Sequence, residues 1–597
     1  MPRFLFNLHR KGAPPLPGQH GSGARPRPQW SAWLLAALPA LFLAFFFYLP
    51  ILEVLSRGFR QPGAGFSLAV VRGLLADPYI QRLIRFTSMQ ALASAGLSAL
   101  IGVPLAYLLA RKEFPGRRLA SALTMVPFVL PTITVALGFM LMYGTNGWFT
   151  RAFRWLTGSE LRILHSLWAI LLAHAFYNAP VVARVVQAAW EQVDPHLEES
   201  ARVLGATPWG VFRDVTLPTI LPAVLSGTAL AFIYCFMSFP IVLALGGARY
   251  STLEVEIYTQ VHVLWDYETG AALAAIQATL SLAFVYAMLK LQGDAGLAGL
   301  ARSSLRRMRR TPVWEGKPGA GPVLTAAFML FAAVFFLGPI AAVVWHSLRN
   351  PGGGLGLDGY ARILSVQHSA TVGNTPLSAV ANSLRFGAFA SLIAVALGGA
   401  FSYSTLRIRL LRRTWLEILA LAPIAVSSVA LGFGALLAFR KEPFTAIPPD
   451  WRVILIHAAL GFPFVVRSVR PVLANLDRSL GEAARTLGAG PLKAFCTVEL
   501  PLIAGGVFVA LTLAFGISVS EMSATMMLAR PSLVTMPVGV YRFLSSREFQ
   551  AASAMAVLLI LVTGGAFLLI EGASRWIQRA RDSEPPRQNR ARGGQRG

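Results

Sequence analysis

Charged residues are scarce in this 597-residue chain, and acidic residues are the scarcest of them. Asp, Glu, Lys and Arg together make up 13% of the sequence, with 27 acidic residues against 53 basic ones, whereas hydrophobic residues make up 55%. Such a composition excludes a soluble globular protein, which could not bury this much apolar surface, and predicts an integral membrane protein. The net charge of +26 does not indicate nucleic-acid binding, because long uncharged apolar stretches separate the basic clusters.

Cysteine is almost absent, and so are the usual signs of catalysis. The two cysteines, Cys235 and Cys496, have no spacing that suits a disulfide framework or a CxxC metal site. The sequence contains no GxxxxGK[ST] phosphate-binding loop, nucleophile triad or metal-spaced histidine cluster. We therefore expect no catalytic residue, metal site or cofactor in this chain. His174 and His457 are predicted to be packed, hydrogen-bonded structural residues.

Long apolar runs are what the chain has instead. A helix needs roughly 20 apolar residues to cross the hydrocarbon core of a bilayer. About twelve runs meet this length, which predicts an all-α polytopic membrane protein. The runs lie near residues 33–55, 86–109, 119–143, 163–183, 221–245, 271–289, 322–344, 386–406, 416–439, 452–467, 502–519 and 551–570. The fourth and tenth runs are the weakest.

The chain also repeats itself. At an offset of 283 positions the stretch 174–218 falls on 457–501 without gaps, and roughly 19 of about 45 positions are identical. A weaker repeat places 135–139 on 429–433. We expect two parallel six-helix repeats related by an axis along the membrane normal, with a pathway between them. The predicted parts are a tail 1–30, a first half 31–290, a basic linker 291–320, a second half 321–572 and a basic tail 573–597.

Basic residues predict the orientation. If both termini are cytoplasmic, roughly 35 of the 53 Lys and Arg fall on the inner side, as the positive-inside rule requires. The inner clusters would include the one at Arg111 to Arg118, the linker cluster Arg302 to Arg310 and the cluster Arg407 to Arg413. Both copies of the duplicated stretch would then end in a cytoplasmic loop.

The duplicated loops share a skeleton of Glu, x, Ala, Arg, x, Leu, Gly, Ala, x, Pro, and each ends in Leu-Pro. This pattern predicts a short helix from Pro195 to Leu204, a break at Gly205 and a second short helix that starts near Pro208. Leu197 and Leu204 would lie on an apolar stripe that docks on a partner. The residues of the skeleton are Glu199, Ala201, Arg202, Gly205, Ala206, Leu217 and Pro218 in the first half, and Glu482, Ala484, Arg485, Gly488, Ala489, Leu500 and Pro501 in the second.

The loops resemble the EAA motif of ABC-importer permeases, with Ser200 where the first alanine of the motif would stand. The resemblance implies that each loop is a coupling helix that docks on an ATPase subunit. It also implies a bacterial inner-membrane protein, two partner ATPase copies that hold ATP and Mg²⁺, and a periplasmic or lipid-tethered substrate-binding protein. The chain itself would be a transport subunit and not an enzyme.

The fused two-half layout resembles the thiamine-type and ferric-iron-type permeases. The runs 235–239, 243–247 and 251–258 look most like the thiamine branch, whereas the region of Ser518 to Tyr541 is also similar to the ferric branch. We expect transport of thiamine or its phosphates, with ferric iron or another small solute as the alternative. An ion-coupled secondary carrier is more remote, because Glu521 has no acidic equivalent in the first half.

Three residues are candidates for the substrate path. Glu521 is an ionisable residue at the outer end of a span, where it could attract a cation. Ser238 and Ser520 are expected at corresponding places in the two halves. Glu254 and Glu256 are predicted to lie in a solvated outer loop, with docking of a partner protein as the alternative.

Overall fold

The computed structural model describes residues 30–61, 65–66, 69–124, 127, 130–247, 249–299, 310–313, 320–350, 352–407, 413–530 and 533–582. Residues 1–29 and 583–597 of the predicted tails and residues 300–309 and 314–319 of the predicted linker lie outside these residues. Residues 573–582, predicted as the start of the basic tail, instead continue the helix Phe549–Asp582. The described chain is almost entirely helical. Its short strands pair as β1 (Arg60–Gln61) with β2 (Gly65–Phe66), antiparallel, and β3 (Lys112–Glu113) with β4 (Thr311–Pro312), parallel.

The first half contains fourteen α-helices among the described residues, and they are labelled here in chain order. They are α1 (Trp30–Leu43), α2 (Leu49–Gly58), α3 (Ala69–Ala76), α4 (Pro78–Arg111), α5 (Arg117–Leu123), α6 (Thr132–Tyr143), α7 (Trp148–Thr157), α8 (Leu167–Trp190), α9 (Pro195–Val203), α10 (Pro208–Val211), α11 (Leu217–Phe236), α12 (Pro240–Leu245), α13 (Leu253–His262) and α14 (Tyr267–Gly299). Five-residue π-helical turns join α1 to α2 (Ala44–Tyr48) and α10 to α11 (Phe212–Thr216).

The second half follows the same plan. Its described helices are α15 (Ala320–Ser347), α16 (Asp358–Ile363), α17 (Pro376–Arg407), α18 (Arg413–Leu421), α19 (Ser428–Ala438), α20 (Pro449–Ala474), α21 (Arg478–Thr486), α22 (Pro491–Ala494), α23 (Leu500–Ser520), α24 (Ser523–Leu528), α25 (Met536–Ser545) and α26 (Phe549–Asp582). A π-helical turn, Phe495–Glu499, joins α22 to α23, and 3₁₀ turns lie at Ala422–Ala425 and Phe444–Ala446.

Ten continuous helical segments of the described chain are long and apolar enough to cross a membrane, and one bent pair raises the number to eleven. The polytopic all-α fold is therefore confirmed, but two of the twelve predicted spans are not single straight helices. The run 416–439 bends by 102° between Ala425 and Ser428. The run 119–143 is divided into α5 and α6, with some of the residues between them outside the description.

Local chemistry explains the two interruptions. Pro131 has no backbone N–H to donate and precedes α6, with extended backbone angles. Ser427, also extended, starts α19 by accepting a hydrogen bond from the Ala430 N–H at 3.2 Å. The fourth and tenth runs are the least hydropathic of the ten spans, as predicted, yet α8 and α20 are continuous helices in spite of Pro180 and Pro463.

Each half is built around three helices that pack tightly together. These are α4, α8 and α11 in the first half and α17, α20 and α23 in the second. Small residues allow the close approach, since a Cβ added to Gly102 of α4 would lie 2.7 Å from the carbonyl oxygen of Ala179 in α8. The three helices of the first group correspond, in the same order along the chain, to the three helices of the second group. The sequence repeat is therefore also a structural repeat.

The first span of each half packs against the other half. The α1–α2 span lies on α17 and α19, besides α14 of its own half, and α15 lies on α6. Glycines mark both crossings. A Cβ on Gly434 of α19 would overlap the carbonyl group of Pro50, and one on Gly138 of α6 would lie 2.7 Å from the carbonyl oxygen of Pro339. The halves are therefore interlocked by an exchange of their first spans.

Candidate functional site

The first duplicated loop, residues 194–218, begins with a capped helix. Asp194 accepts a hydrogen bond from the His196 N–H at 3.0 Å and so satisfies one of the free donors at the start of α9. In the second loop, residues 477–501, Asp477 accepts from the Ser479 N–H at 3.0 Å and starts α21 in the same way. This backbone hydrogen bond holds the pKa of Asp477 below its ordinary value.

The ends of these two helices explain the shared skeleton. The Ala206 N–H donates to the Ala201 carbonyl, and the Gly205 N–H donates to the Arg202 carbonyl, both at 3.0 Å. This pair of bonds is a Schellman motif, which needs a residue with positive φ after the helix. Gly205 has φ +88° and Gly488 has φ +90°. The second loop repeats both bonds, so the Ala-Arg-x-Leu-Gly-Ala pattern that the two loops share encodes a helix stop.

Most of the predicted coupling residues lie on the surface. The side chains of Val203, Leu204 and Leu487 are 87%, 87% and 89% exposed. Trp209 and Leu492 extend this apolar surface into the second short helix of each loop. Glu199 is exposed and lies 3.5 Å from the His196 ring, and Glu482 is also exposed. Among the predicted residues, Ala201, Leu217, Ala484, Arg485, Ala489 and Leu500 are partly buried, whereas Arg202, Gly205, Ala206, Pro218, Gly488 and Pro501 are exposed.

The loops also contain two buried glutamates that the sequence analysis missed. Glu198 in α9 pairs with Arg111, the last residue of α4, and accepts a hydrogen bond from the Thr216 hydroxyl at 2.8 Å. Glu499 pairs with Arg407, the last residue of α17, whose guanidinium donates to both carboxylate oxygens at 3.1 and 3.2 Å. The signal was available, because an arginine ends the second span of both halves.

A cavity of about 440 Å³ lies between the halves, and its wall contains all three candidates for the substrate path. Ser238 and Tyr234 line it from the first half, and Ser520, Glu521 and Phe464 line it from the second. Its volume is within the usual range of about 300–1,000 Å³ for small-molecule sites. The structure therefore brings the three predicted residues together in one space.

The pairing of the candidates is off by one residue. At the 283-residue offset Ser238 falls on Glu521, and Ser520 falls on Met237. The structure supports this register, because Phe239 and Met522, which are also 283 apart, precede the short helices α12 and α24. Ser238 and Ser520 are thus not equivalent, and a serine stands where the second half has its glutamate.

Glu521 is held at the end of α23. One carboxylate oxygen accepts a hydrogen bond from the Ala524 N–H at 2.8 Å, and the Ser428 hydroxyl is a further partner. These bonds fix the carboxylate at the junction of α23, α24 and the bent ninth span. Glu521 is thus both a cap for α24 and a carboxyl group in the wall of the cavity.

The two repeated histidines are buried and hydrogen-bonded, as predicted. The Nδ1 atom of His174 lies 3.0 Å from the Ser94 hydroxyl. His457 is bonded at both ring nitrogens, with Nδ1 2.8 Å from the Ser518 hydroxyl and Nε2 2.9 Å from the Thr525 hydroxyl. The second copy is therefore more completely satisfied than the first.

The prediction of a solvated loop around Glu254 and Glu256 was wrong. Both side chains are buried, because α13 is packed into the molecule beside α14. Glu254 accepts hydrogen bonds from Gln277 and from the Ser427 hydroxyl of the other half, the latter at 2.8 Å. Glu256 accepts from the Tyr79 hydroxyl at 2.8 Å. Neither carboxylate is available to a docking protein.

Residues 102–293 and 390–582 each match the family described as the binding-protein-dependent transport system inner membrane component. The chain belongs to this family and contains its domain twice. It is thus a transport permease subunit of the ABC-importer class and a multi-pass protein of the bacterial inner membrane, and not an enzyme.

Curated relatives match most of the chain. It is 30% identical over 532 residues to the thiamine transport system permease protein ThiP of Brucella suis, and the match covers 87% of this chain and 92% of that protein. The ThiP protein of Salmonella typhimurium is 25% identical over 554 residues, with 92% and 98% covered. A chain of a solved bacterial ABC transporter involved in the import of the acidic polysaccharide alginate has 21% identity and a TM-score of 0.37, and the match covers 44% of this chain and 96% of that one.

Proposed function

We propose that this protein is the permease of an importer for thiamine or its phosphates. The carrying observation is the similarity to thiamine permeases over 87% of the chain, in both halves at once. Two duplicated loops of one design, each with exposed apolar side chains, support docking on two copies of a separate ATPase subunit. In this proposal ATP and Mg²⁺ bind to those subunits, and this chain holds no cofactor.

The cavity suits an organic cation. Thiamine carries a fixed positive charge on an aromatic ring, and such a ring is stabilised by aromatic side chains and by a carboxylate. Tyr177, Tyr234 and Phe239 contribute aromatic surface to the lining, and Glu521 contributes a carboxyl group. Ferric iron prefers several oxygen ligands together. No group of three or more His, Cys, Asp or Glu side chains that could hold a metal occurs among the described residues.

Transport then follows from alternating access. A periplasmic or lipid-tethered binding protein delivers its ligand to the outer mouth of the cavity. ATP-driven closure of the ATPase dimer moves the two loops, and this movement switches the cavity between outward and inward access. The proposal places both loops and both termini on the cytoplasmic side, in agreement with the positive-inside distribution of basic residues.

The test is ATP hydrolysis by the assembled transporter in nanodiscs. The chain is combined with the ATPase and binding protein that copurify with it, and the binding protein is loaded with thiamine, thiamine phosphates or ferric iron in turn. Stimulation by thiamine-loaded binding protein supports the proposal. If only the iron-loaded binding protein stimulated hydrolysis, the proposed substrate would be wrong and ferric iron would take its place. If the chain assembled with no ATPase, the importer function itself would be contradicted.

A further inference from the structure

Each half contains one buried carboxylate at the same place, but a different sequence position supplies it. At the 283-residue offset Glu198 falls on Gly481, and Thr216 falls on Glu499. The first half thus has glutamate in the loop helix and threonine in the π-helical turn. The second half has glycine in the loop helix and glutamate in the turn.

The two positions are neighbours in space, which makes the exchange physically sensible. In the first half the Thr216 hydroxyl donates to Glu198 at 2.8 Å. In the second half a Cβ added to Gly481 would lie only 2.6 Å from Oε1 of Glu499. The carboxylate of each half therefore fills the same space, and Gly481 leaves room for it.

The partner of the carboxylate does not change between the halves. It is the last arginine of the second span, Arg111 in α4 and Arg407 in α17. Arginine is favoured there by the dipole of the helix, and a buried carboxylate requires a cationic partner. The guanidinium of Arg407 also stacks 3.6 Å from the centre of the Tyr403 ring, which in turn contacts Phe495 in the turn.

We propose that these pairs are latches that hold each duplicated loop to the cytoplasmic end of the second span. Arg111, Glu198 and Thr216 form the first latch, and Arg407, Glu499 and Gly481 form the second. Each latch passes movement of its loop to α4 or α17, which belong to the tight three-helix group of their half. The role in coupling rests on the importer function proposed above, whereas the interchangeability of the two positions does not.

The first experiment tests interchangeability without any substrate. Cys496 is exposed beside Glu499, whereas Cys235 is buried, so a maleimide fluorophore on the intact chain labels the second loop. Glu499→Thr should lower the fluorescence anisotropy, because the turn is released. The double variant Gly481→Glu with Glu499→Thr copies the first half and should restore it. Glu499→Gln, which keeps shape and loses charge, should resemble Glu499→Thr.

If the double variant remains as mobile as Glu499→Thr while the chain stays monodisperse, the shared-space proposal is wrong. Unchanged anisotropy in Glu499→Thr would also overturn it. These outcomes do not depend on which solute is carried.

The second experiment tests the role in coupling. In proteoliposomes that contain the full transporter, Glu198→Gly should lower thiamine uptake per ATP hydrolysed by about tenfold, because a lost buried ion pair releases the loop. Adding Thr216→Glu rebuilds the arrangement of the second half, and uptake per ATP should return to within about twofold of the parent. A purely structural role would lower uptake and hydrolysis together and leave their ratio unchanged. That result would remove the coupling role, and absence of thiamine uptake by the parent would instead contradict the proposed substrate.

Discussion

Glu521 places a carboxyl group in the cavity wall, and this group can be replaced by an amide that cannot ionise but keeps the capping role. In Glu521→Gln the side-chain oxygen can still accept from the Ala524 N–H, so α24 should remain in place. A desolvated cation loses roughly 1–2 kcal/mol of stabilisation without its counter-charge, which corresponds to about a tenfold effect. We expect uptake of thiamine in proteoliposomes to fall by this factor.

Glu160→Gln is the matched control for Glu521→Gln. It makes the same substitution at an exposed carboxylate that is not among the residues lining the cavity. Uptake should stay within about twofold of the parent value. Equal losses in both variants would indicate that the charge of Glu521 has no part in the path.

The repeated histidines provide a second prediction at the scale of single residues. His457→Ala removes a hydrogen bond from each of the Ser518 and Thr525 hydroxyls, of which Thr525 keeps its bond to the Glu521 carbonyl, whereas His174→Ala removes only the bond to Ser94. An unsatisfied buried group costs about 1–3 kcal/mol. The melting temperature of the purified chain, followed by tryptophan fluorescence, should therefore fall further for His457→Ala. A larger fall for His174→Ala would contradict this account.

Single-residue contacts were the least predictable part of the site. The motif directed attention to Glu199 and Glu482, which are exposed, and away from Glu198 and Glu499, which are buried. The reason is that a comparison of the two halves detects only identical residues at matched sequence positions. A carboxylate that changes its sequence position and keeps its place in space is invisible to such a comparison.

Among the helices, the stop after each coupling helix gives the clearest prediction. Gly205 and Gly488 are surrounded by open space, so positive φ and not crowding requires glycine there. A β-branched residue at positive φ costs roughly 1–2 kcal/mol. We expect Gly205→Val to distort the Schellman motif and to reduce stimulation of ATP hydrolysis by loaded binding protein.

Gly205→Asn separates backbone strain from loss of glycine itself. Asparagine adopts the left-handed region more readily than valine, so this variant should keep most of the stimulation. The same comparison at Gly488 should give the same order. If asparagine and valine were equally harmful, the left-handed conformation would not be the cause.

Helix existence could be predicted from hydropathy, but helix continuity could not. The run 119–143 and the run 416–439 are as apolar as uninterrupted spans, and apolar length alone cannot show a bend. Pro131 and the capping residue Ser427 carried the local signal. Conversely, α8 has a low hydropathy because it contains polar residues. A spanning helix tolerates them where they face other helices and not lipid, as the burial of His174 and Asn178 shows.

At the scale of the whole molecule, the exchange of first spans depends on two glycines. Gly434→Ala should push α19 away from Pro50 and lower the melting temperature of the chain by several degrees, since a cost of about 1–3 kcal/mol is typical of overpacking. Gly399→Ala is the control, because nothing lies near the added Cβ and alanine favours a helix by up to about 1 kcal/mol over glycine. Equal destabilisation of both variants would count against the close crossing.

The repeat predicted the overall architecture well because it carries information about symmetry. Two halves of one plan, two loops of one design and a cavity between the halves all follow from one duplication. The crossing of the first spans does not follow from it. Hydropathy shows that a helix lies in the membrane, but it contains no information about which apolar neighbour that helix prefers.

The crossing has a consequence for biogenesis. Trp33–Gly58 is synthesised first, yet α19 begins at Ser428, so residues 59–427 must be made before this partner enters the membrane. Until α17, its earlier partner in the other half, has been made, the earliest span can contact only lipid and its own half. Insertion and assembly are thus separated in time. If translation stopped in the linker, the first half would be released without the second-half helices on which its first span packs.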